Sequence, residues 1–411
     1  MSQKRIEWID QLKGITFFLV VLGHTDGILD WGIAHPYIYS FHMPLFLMMT
    51  GFTLNIDKVY NTSFVDYVTK LFKRMIVPYV WLNLICMPLR YILYNFLRGS
   101  QMKVIDFLKG IVLANTAFDN SLSPATPTYY IILLFFAQLL LFALIKLTKK
   151  NNLILFPVSL LLLVIPLATI KTPVIWHLNV VPVAMMFIIL GRILMDMYLK
   201  NKQRLDNTHI WKLIPVCVLL VIGGFIFYKL NGKISIHLNL YGNNFILFIL
   251  SALLTSTALV ILVSRMPKIG FINYIGKNTL FSLGIHAAII SIVEQLFKNI
   301  KSELWFIFIE AIAIYLMLIP MIYLVNKFAP FLNGNTTKDN SPLSLICRYL
   351  CVFAAGCVPV LFFLQKFRGG VLLSSTGMKI SSVISYLVLC AVVTVMFEKV
   401  FPFMFIKEKR K

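Results

Sequence analysis

The sequence predicts an all-α fold, a polytopic transmembrane helical bundle of about twelve spans, in which a ten-helix body precedes two C-terminal helices. Hydrophobic residues make up 59% of the 411-residue chain, only 13% of residues are charged, and the mean hydropathy is +0.84. Soluble proteins carry about a quarter charged residues, so this chain is too apolar for that class. Apolar runs recur along the whole sequence, and about 20 residues of helix cross the hydrocarbon core of a bilayer.

The predicted spans follow one another along the chain. They lie near residues 8–28, 37–56, 76–97, 128–147, 153–170, 178–197, 211–229, 243–264, 276–297, 304–328, 343–365 and 380–403. We interpret the first as a retained helix rather than a signal peptide, because no small-residue cleavage site follows it. An even number of spans places both termini on one side, and the Lys and Arg clusters then fall mostly in cytoplasmic loops. We therefore expect both termini in the cytoplasm.

Two connections between spans stand out. Residues 98–128 form a long outer loop, in which residues 105–113 are predicted as an interfacial helix. Residues 333–342 are a polar linker on the cytoplasmic side. This linker divides a membrane domain, residues 1–332, from two additional transmembrane helices and a basic cytoplasmic tail in residues 343–411.

The charges and cysteines do not predict a nucleic-acid or metal partner. The formal net charge of +22 is carried by short clusters between apolar runs, which is typical of cytoplasmic loops rather than of a phosphate-binding surface. None of the six cysteines forms a CxxC pair. Cys347 and Cys351 share a helix face at i, i+4 spacing but have no His or Asp beside them. The lipid bilayer is the partner that the composition predicts.

Lys13 and His24 are the most informative polar residues in the first span. A charged group inside a membrane costs about 2.5–3.5 kcal/mol on insertion scales, so those present are candidates for function. Eleven residues of helix bring both side chains to one face, about 16 Å apart along the axis. Lys13 would hold a phosphate-bearing donor at the cytoplasmic entrance, with Asp10 paired to it at i, i+3. His24, predicted deep in the span, would take a proton from an alcohol that attacks a thioester. The alternative for His24 is a buried histidine bonded to a backbone carbonyl.

Five further polar residues are candidates for the functional site, and the sequence leaves a structural interpretation open for each of them. His42 begins the second predicted span, where it has either a supporting role or that of a helix-start polar residue. His286 precedes Glu294 by eight residues on the same side of a helix, so the two either interact or Glu294 approaches the outer interface. Arg74, one turn after Lys70, either grips donor phosphates or sets topology.

The basic residue, ten intervening residues and histidine of Lys13 to His24, and the segment Phe41-His42-Met43-Pro44 to Gly51-Phe52, resemble two hallmark motifs of a known family. This is the acyltransferase-3 family of membrane O-acyltransferases, especially its fucose O-acetylase-like branch. Weaker similarities lie at residues 73–79, 182–192 and 275–286, so that the resemblance covers about the first 330 residues.

The resemblance implies a ten-helix body in a bacterial inner (plasma) membrane, acetyl-CoA or another acyl-CoA as a donor substrate rather than a bound cofactor, and His24 as the essential catalytic residue. Lys13 stands where the family more often has arginine. The residues themselves predict that Lys13, with Arg74 and Lys70, binds the donor and that Asp10, His42, His286 and Glu294 support the site. The last two spans depart from the family's ten-helix body.

The leading hypothesis is O-acetylation of a cell-surface polysaccharide or a lipid-linked glycan. A transporter of polysaccharide or lipid-linked sugar is the alternative, since charges within the membrane can also line a translocation path. A glycan polymerase would need large outer loops with Arg and acidic residues, and the longest outer loop predicted here is modest.

Overall fold

The structure, a computed structural model, describes residues 6–25, 34–94, 103–116, 121–172, 174–297, 304–337, 341–367 and 376–407. Within these ranges, strand structure is limited to one antiparallel pair of two-residue strands, Ile234–Ser235 and Leu240–Tyr241. The predicted all-α fold is confirmed.

Seventeen α-helices lie within the described ranges. They are α1 (Glu7–His24), α2 (Ala34–Phe52), α3 (Ile56–Asn61), α4 (Phe64–Leu71), α5 (Val77–Ile92), α6 (Val104–Leu113), α7 (Tyr129–Leu147), α8 (Asn152–Leu161), α9 (Val164–Ala168), α10 (Val181–Asn207), α11 (Ile210–Asn231), α12 (Phe245–Arg265), α13 (Gly270–Lys277), α14 (Thr279–Leu296), α15 (Leu304–Phe328), α16 (Pro342–Phe367) and α17 (Thr376–Lys399). A π-helical segment, Phe72–Ile76, joins α4 to α5.

Seven helical segments in the described part of the chain are long and apolar enough to cross a membrane. They are Phe64–Ile92, Tyr129–Leu147, Ile175–Asn207, Ile210–Asn231, Phe245–Arg265, Thr279–Leu296 and Trp305–Phe328. All twelve predicted spans contain helix, as does the predicted interfacial segment, which is α6. The protein is therefore a multi-pass membrane protein.

Several predicted spans differ in extent from the helices observed, the fifth and the sixth among them. The fifth, residues 153–170, is divided into α8 and α9. The sixth, predicted to end at residue 197, continues as α10 to Asn207. Its polar extension carries an ion pair one turn apart, Lys202 with Asp206, which is the spacing that supports a solvated helix. Hydropathy alone does not register such a segment.

The chain forms two compact units. Unit 1 comprises Met1–Tyr67, Leu133–Thr279 and Phe297–Ile319, and unit 2 comprises Val68–Ile132, Leu280–Leu296 and Pro320–Lys411. In unit 1, α2 and α10 approach so closely that a Cβ on Gly51 would lie 1.9 Å from the Ile188 carbonyl oxygen. Small residues at such contacts are typical of helix packing in membranes, where backbones come together directly.

In unit 2, the C-terminal pair α16 and α17 is built into the packing around α5. The Trp81 side chain on α5 is 2% exposed and stacks on Phe405, with ring centroids 5.7 Å apart. Its indole Nε1 donates to the Met404 carbonyl at 2.7 Å. Buried Arg348 on α16 pairs with Glu398 on α17, which also binds Lys407. We call these six residues the C-terminal lock.

The predicted linker and loop are only partly described. In the linker, residues 338–340 lie outside the described residues, while the Thr337 backbone N–H donates to the Ile406 carbonyl at 3.3 Å. In the predicted outer loop, residues 98–102 and 117–120 are also outside them, as are residues 408–411 of the basic tail.

The helix α6 is held against α5 by a hydrogen bond, in which Tyr79 donates its hydroxyl to the Ile111 carbonyl at 2.7 Å.

Candidate active site

The first turns of α1 are held by side-chain hydrogen bonds to the segment that leads into α13. The Gln11 side chain donates to the Pro267 carbonyl at 3.0 Å and accepts from the Ile269 N–H at 2.8 Å. Asn273 on α13 donates to the Glu7 carbonyl at 2.9 Å. These bonds join the start of α1 to α13 and to the segment that precedes it. The N-terminal half of α1 therefore has a fixed register against α13.

Two glycines bring the backbones of α1 and α13 into contact beside Lys13. A Cβ on Gly276 would lie 1.7 Å from the Asp10 carbonyl oxygen, and one on Gly14 would lie 2.3 Å from that of Ile272. Tyr315 on α15 donates its hydroxyl to the Gly14 carbonyl at 3.0 Å. Asp10 is buried and Lys13 is half-buried in this region. The predicted Asp10–Lys13 ion pair stays a prediction.

His24 lies in the last turn of α1, and its predicted depth within a membrane span stays a prediction. The predicted span continued to residue 28; Thr25 caps the helix, and residues 26–28 lie outside the described residues. The Thr25 backbone N–H donates to the Val21 carbonyl at 3.0 Å, and its hydroxyl donates to the Leu22 carbonyl at 3.0 Å. The imidazole is half-buried.

His42 lies two turns into α2, so the prediction that it begins the second span was wrong. Pro44 is correspondingly inside the helix and not in its first turn. The His42 ring is 3% exposed and its Nδ1 lies 2.7 Å from the Ile38 carbonyl oxygen. Because a carbonyl only accepts, Nδ1 carries the proton, and in the neutral ring Nε2 bears the lone pair.

Tyr39 lies between the two histidines, and the sequence analysis did not identify it. Its ring meets that of His24 edge-on at 6.2 Å between centroids, and that of His42 edge-on at 4.9 Å. Its hydroxyl donates to the Gly23 carbonyl at 3.1 Å. The available signal was its position one turn before a motif histidine, which puts both side chains on one face of α2. Unit 1 thus brings His24, Tyr39 and His42 together.

The predicted phosphate-binding residues Lys70 and Arg74 belong to unit 2. Lys70 is in the last turn of α4 and Arg74 is in the π-helical segment Phe72–Ile76, and both side chains are exposed. Neither forms an ion pair with another residue that the structure describes. A π-helical turn is rare and often marks a functional site. Exposed, clustered cations of this kind are accessible to an anionic ligand.

His286 and Glu294 also belong to unit 2, on α14. The His286 side chain is fully buried and its Nδ1 lies 3.1 Å from the Ser282 carbonyl oxygen one turn earlier. Glu294 is half-buried, and the predicted His286–Glu294 interaction stays a prediction. On the same helix, Ser291 accepts a 2.8 Å hydrogen bond from Arg90 of α5.

Arg90 is a buried cation that the sequence analysis overlooked. It is 8% exposed, and its Nε donates to the Pro124 carbonyl at 3.1 Å. Nearby, the Asn83 side chain accepts from the Ala125 N–H and donates to the Thr128 hydroxyl, at 3.1 and 3.0 Å. Both residues thus tie the described part of the outer loop to α5. A lone Arg in an apolar run was the signal that could have identified it.

Comparison with known proteins identifies a family but no individual relative. The family model Acyl_transf_3, described as an acyltransferase domain, matches residues 6–325. Neither the curated proteins nor the solved structures include a significant match to this chain. The matched region contains every predicted site residue and ends before α16.

Proposed function

Since the chain belongs to the acyltransferase-3 family, and is therefore a membrane acyltransferase, we propose that it moves an acetyl or similar short acyl group from cytoplasmic acyl-CoA to a hydroxyl. The proposed acceptor is a cell-surface polysaccharide or a lipid-linked glycan. The proposed location is a bacterial plasma membrane with both termini in the cytoplasm. The observation that carries the proposal is the half-buried imidazole of His24, held at the end of α1 beside Tyr39 and His42.

In the proposed reaction, His24 is the general base. It accepts the proton of the acceptor hydroxyl while the hydroxyl oxygen forms a bond to the thioester carbonyl carbon. The bond from that carbon to sulfur then breaks, and the proton passes to the departing thiolate. The products are an O-acyl ester and free CoA thiol.

Binding of the donor's phosphates is proposed for Lys13 in unit 1 and, as a separate assignment, for Lys70 and Arg74 in unit 2. Lys13 is about 16 Å from His24 along α1, a separation that suits a donor with phosphates at one end of a long arm and a thioester at the other. The guanidinium of Arg74 can bind a phosphate through two parallel hydrogen bonds, whereas Lys70 adds a point charge. Asp10, His42, His286 and Glu294 are proposed to support these groups.

The decisive experiment follows radiolabel from acetyl-CoA into isolated surface glycan with the purified protein in lipid. We expect transfer by the unchanged protein and a loss of about 10²–10⁴-fold in kcat for His24→Ala, the usual contribution of a general base. His209→Ala is the matched control, because His209 is exposed beside α11 and lies outside the site. Glycan that crosses vesicles without gaining label, or a fully active and properly inserted His24→Ala protein, would contradict the proposal.

A further inference from the structure

We propose that Tyr39 is a positioning residue for the general base, a role that rests on the proposed function. Its hydroxyl fixes the last turn of α1, and its ring fixes the imidazole of His24. Tyr39 is itself half-buried on α2, five residues after the first described residue of that helix. The proposal assigns it no proton transfer and no contact with the donor.

The hydroxyl of Tyr39 binds one of the carbonyl groups at the end of α1. A helix leaves its last four carbonyl groups without intrahelical donors. Here three consecutive carbonyls each accept a bond from outside the helical pattern or from its cap: Val21 from the Thr25 N–H, Leu22 from the Thr25 hydroxyl, and Gly23 from Tyr39. The bond from Tyr39 is the one among these three that comes from another helix. It therefore ties the backbone directly before His24 to α2.

The ring of Tyr39 contacts the rings of both histidines. His24 and His42 each meet Tyr39 edge-on, with interplanar angles of 81° and 84°. Edge-to-face contacts of this kind are favoured by the charge distribution of aromatic rings. The His42 ring is fixed in turn by its bond to the Ile38 carbonyl. The fixed His42 ring thus limits movement of the Tyr39 ring, and the Tyr39 ring limits movement of the His24 imidazole.

Together these contacts fix the positions of both the backbone and the imidazole ring of His24, the proposed base. A misplacement of about 1 Å at a reacting group can lower a rate by about 10²-fold. Removal of the Tyr39 hydroxyl frees the end of α1 but leaves the ring, the helix and the donor residues unchanged. The expected defect is therefore in kcat and not in the KM for acyl-CoA.

The test compares Tyr39→Phe with Tyr37→Phe in the purified, lipid-embedded full-length protein. Tyr37 is the matched control, because it is on the same helix and its hydroxyl is also hydrogen-bonded, to Thr255 at 2.7 Å and to the Val221 carbonyl at 3.1 Å. Both variants lose one hydrogen-bonded hydroxyl of a half-buried tyrosine, but of the two only Tyr39 contacts His24. We expect kcat to fall about 10–100-fold in Tyr39→Phe with KM for acetyl-CoA within about threefold. Tyr37→Phe should keep its kcat.

The outcomes separate the two proposals. Equal kcat values for the two variants, or a Tyr39→Phe defect that appears only in KM, would overturn the role of Tyr39. Equal melting temperatures with unequal kcat values would support it, because a general loss of stability would affect both variants. If the unchanged protein transfers no label, or His24→Ala remains active, the proposed function itself fails. Tyr39→Leu extends the series, since loss of the ring should lower kcat further.

Discussion

Gly276 on α13 lies against the backbone of α1, and the contact leaves no room for a side chain. A Cβ there would come within 1.7 Å of the Asp10 carbonyl oxygen and 2.8 Å of the Gly14 nitrogen. Both atoms belong to a rigid helix, so the conflict cannot be relieved by a rotamer change. The segment that carries Lys13 is consequently positioned by a residue with no chemistry of its own.

We expect Gly276→Ala to lower stability by about 1–3 kcal/mol, because it overpacks this contact. It should also reduce acyl transfer, since α1 must shift and it carries both Lys13 and His24. Gly270→Ala, on the same short helix, is the control, because its Cβ would have no atom within 4 Å. Denaturant titration in mixed micelles and the transfer assay measure the two effects. Similar stabilities for the two variants would show that α1 is not held at this contact.

At the scale of an element, the two-strand hairpin between α11 and α12 contains a titratable group. His237 lies at its tip, and its Nδ1 is 3.0 Å from the Ser235 hydroxyl. Burial lowers the pKa of His237 below its usual value near 6.5, because burial disfavours the charged ring. Folding therefore opposes protonation of this residue.

The sign of the resulting pH dependence follows from linkage. With a lowered folded-state pKa, the unfolded chain binds the proton more readily, so stability decreases as the pH falls below about 6.5. We expect the melting temperature of His237→Gln to fall less between pH 7 and pH 5 than that of the unchanged protein. His209→Gln, at an exposed site, is the control for replacing a histidine with glutamine. If the melting temperatures of all three proteins change with pH in the same way, His237 does not cause the loss of stability at low pH.

Helical elements were predictable from sequence, whereas the contacts between them were not. Long apolar runs in a bilayer must satisfy their backbone groups internally, and this requirement predicts helix wherever the run is long enough. Thr25 ends α1 through its own hydroxyl, a local event that apolar periodicity does not record. The approach of Tyr39 to His24 depends on how two helices pack, which one sequence does not specify. The roles of the site residues remain predictions for that reason.

For the whole molecule, the C-terminal lock makes α16 and α17 part of unit 2, although they lie beyond the family match. The Arg348 side chain is 2% exposed, and it also binds Ser344 through Nη1 at 2.6 Å. Its guanidinium lies over the Phe405 ring, 5.9 Å from the centroid. Loss of Arg348 would leave Glu398 with Lys407 alone in a largely apolar setting. The predicted separate C-terminal helices are thus packed against α5 in this unit.

We expect Arg348→Ala to destabilise the protein by about 3–5 kcal/mol, the usual effect of removing one partner of a buried pair. The control is Lys202→Ala, whose partner Asp206 is 4.0 Å away and whose side chain is 56% exposed, and it should change stability by less than about 1 kcal/mol. Micelle denaturation measures both variants. Arg348→Met combined with Glu398→Gln should recover part of the loss, and an unaltered Arg348→Ala protein would disprove the lock.

The bond between Trp81 and Met404 has a consequence during biosynthesis. Its two residues are 323 positions apart in sequence. At about 5–20 residues per second, a ribosome needs roughly 15–65 s to make the intervening chain. Throughout that interval the C-terminal segment that covers the Trp81 ring has not been made. The exposed aromatic surface of α5 can then bind wrong partners or be recognised by quality-control proteases. Insertion factors that shield nascent helices should therefore matter more for this protein than for one whose early helices pair only with near neighbours.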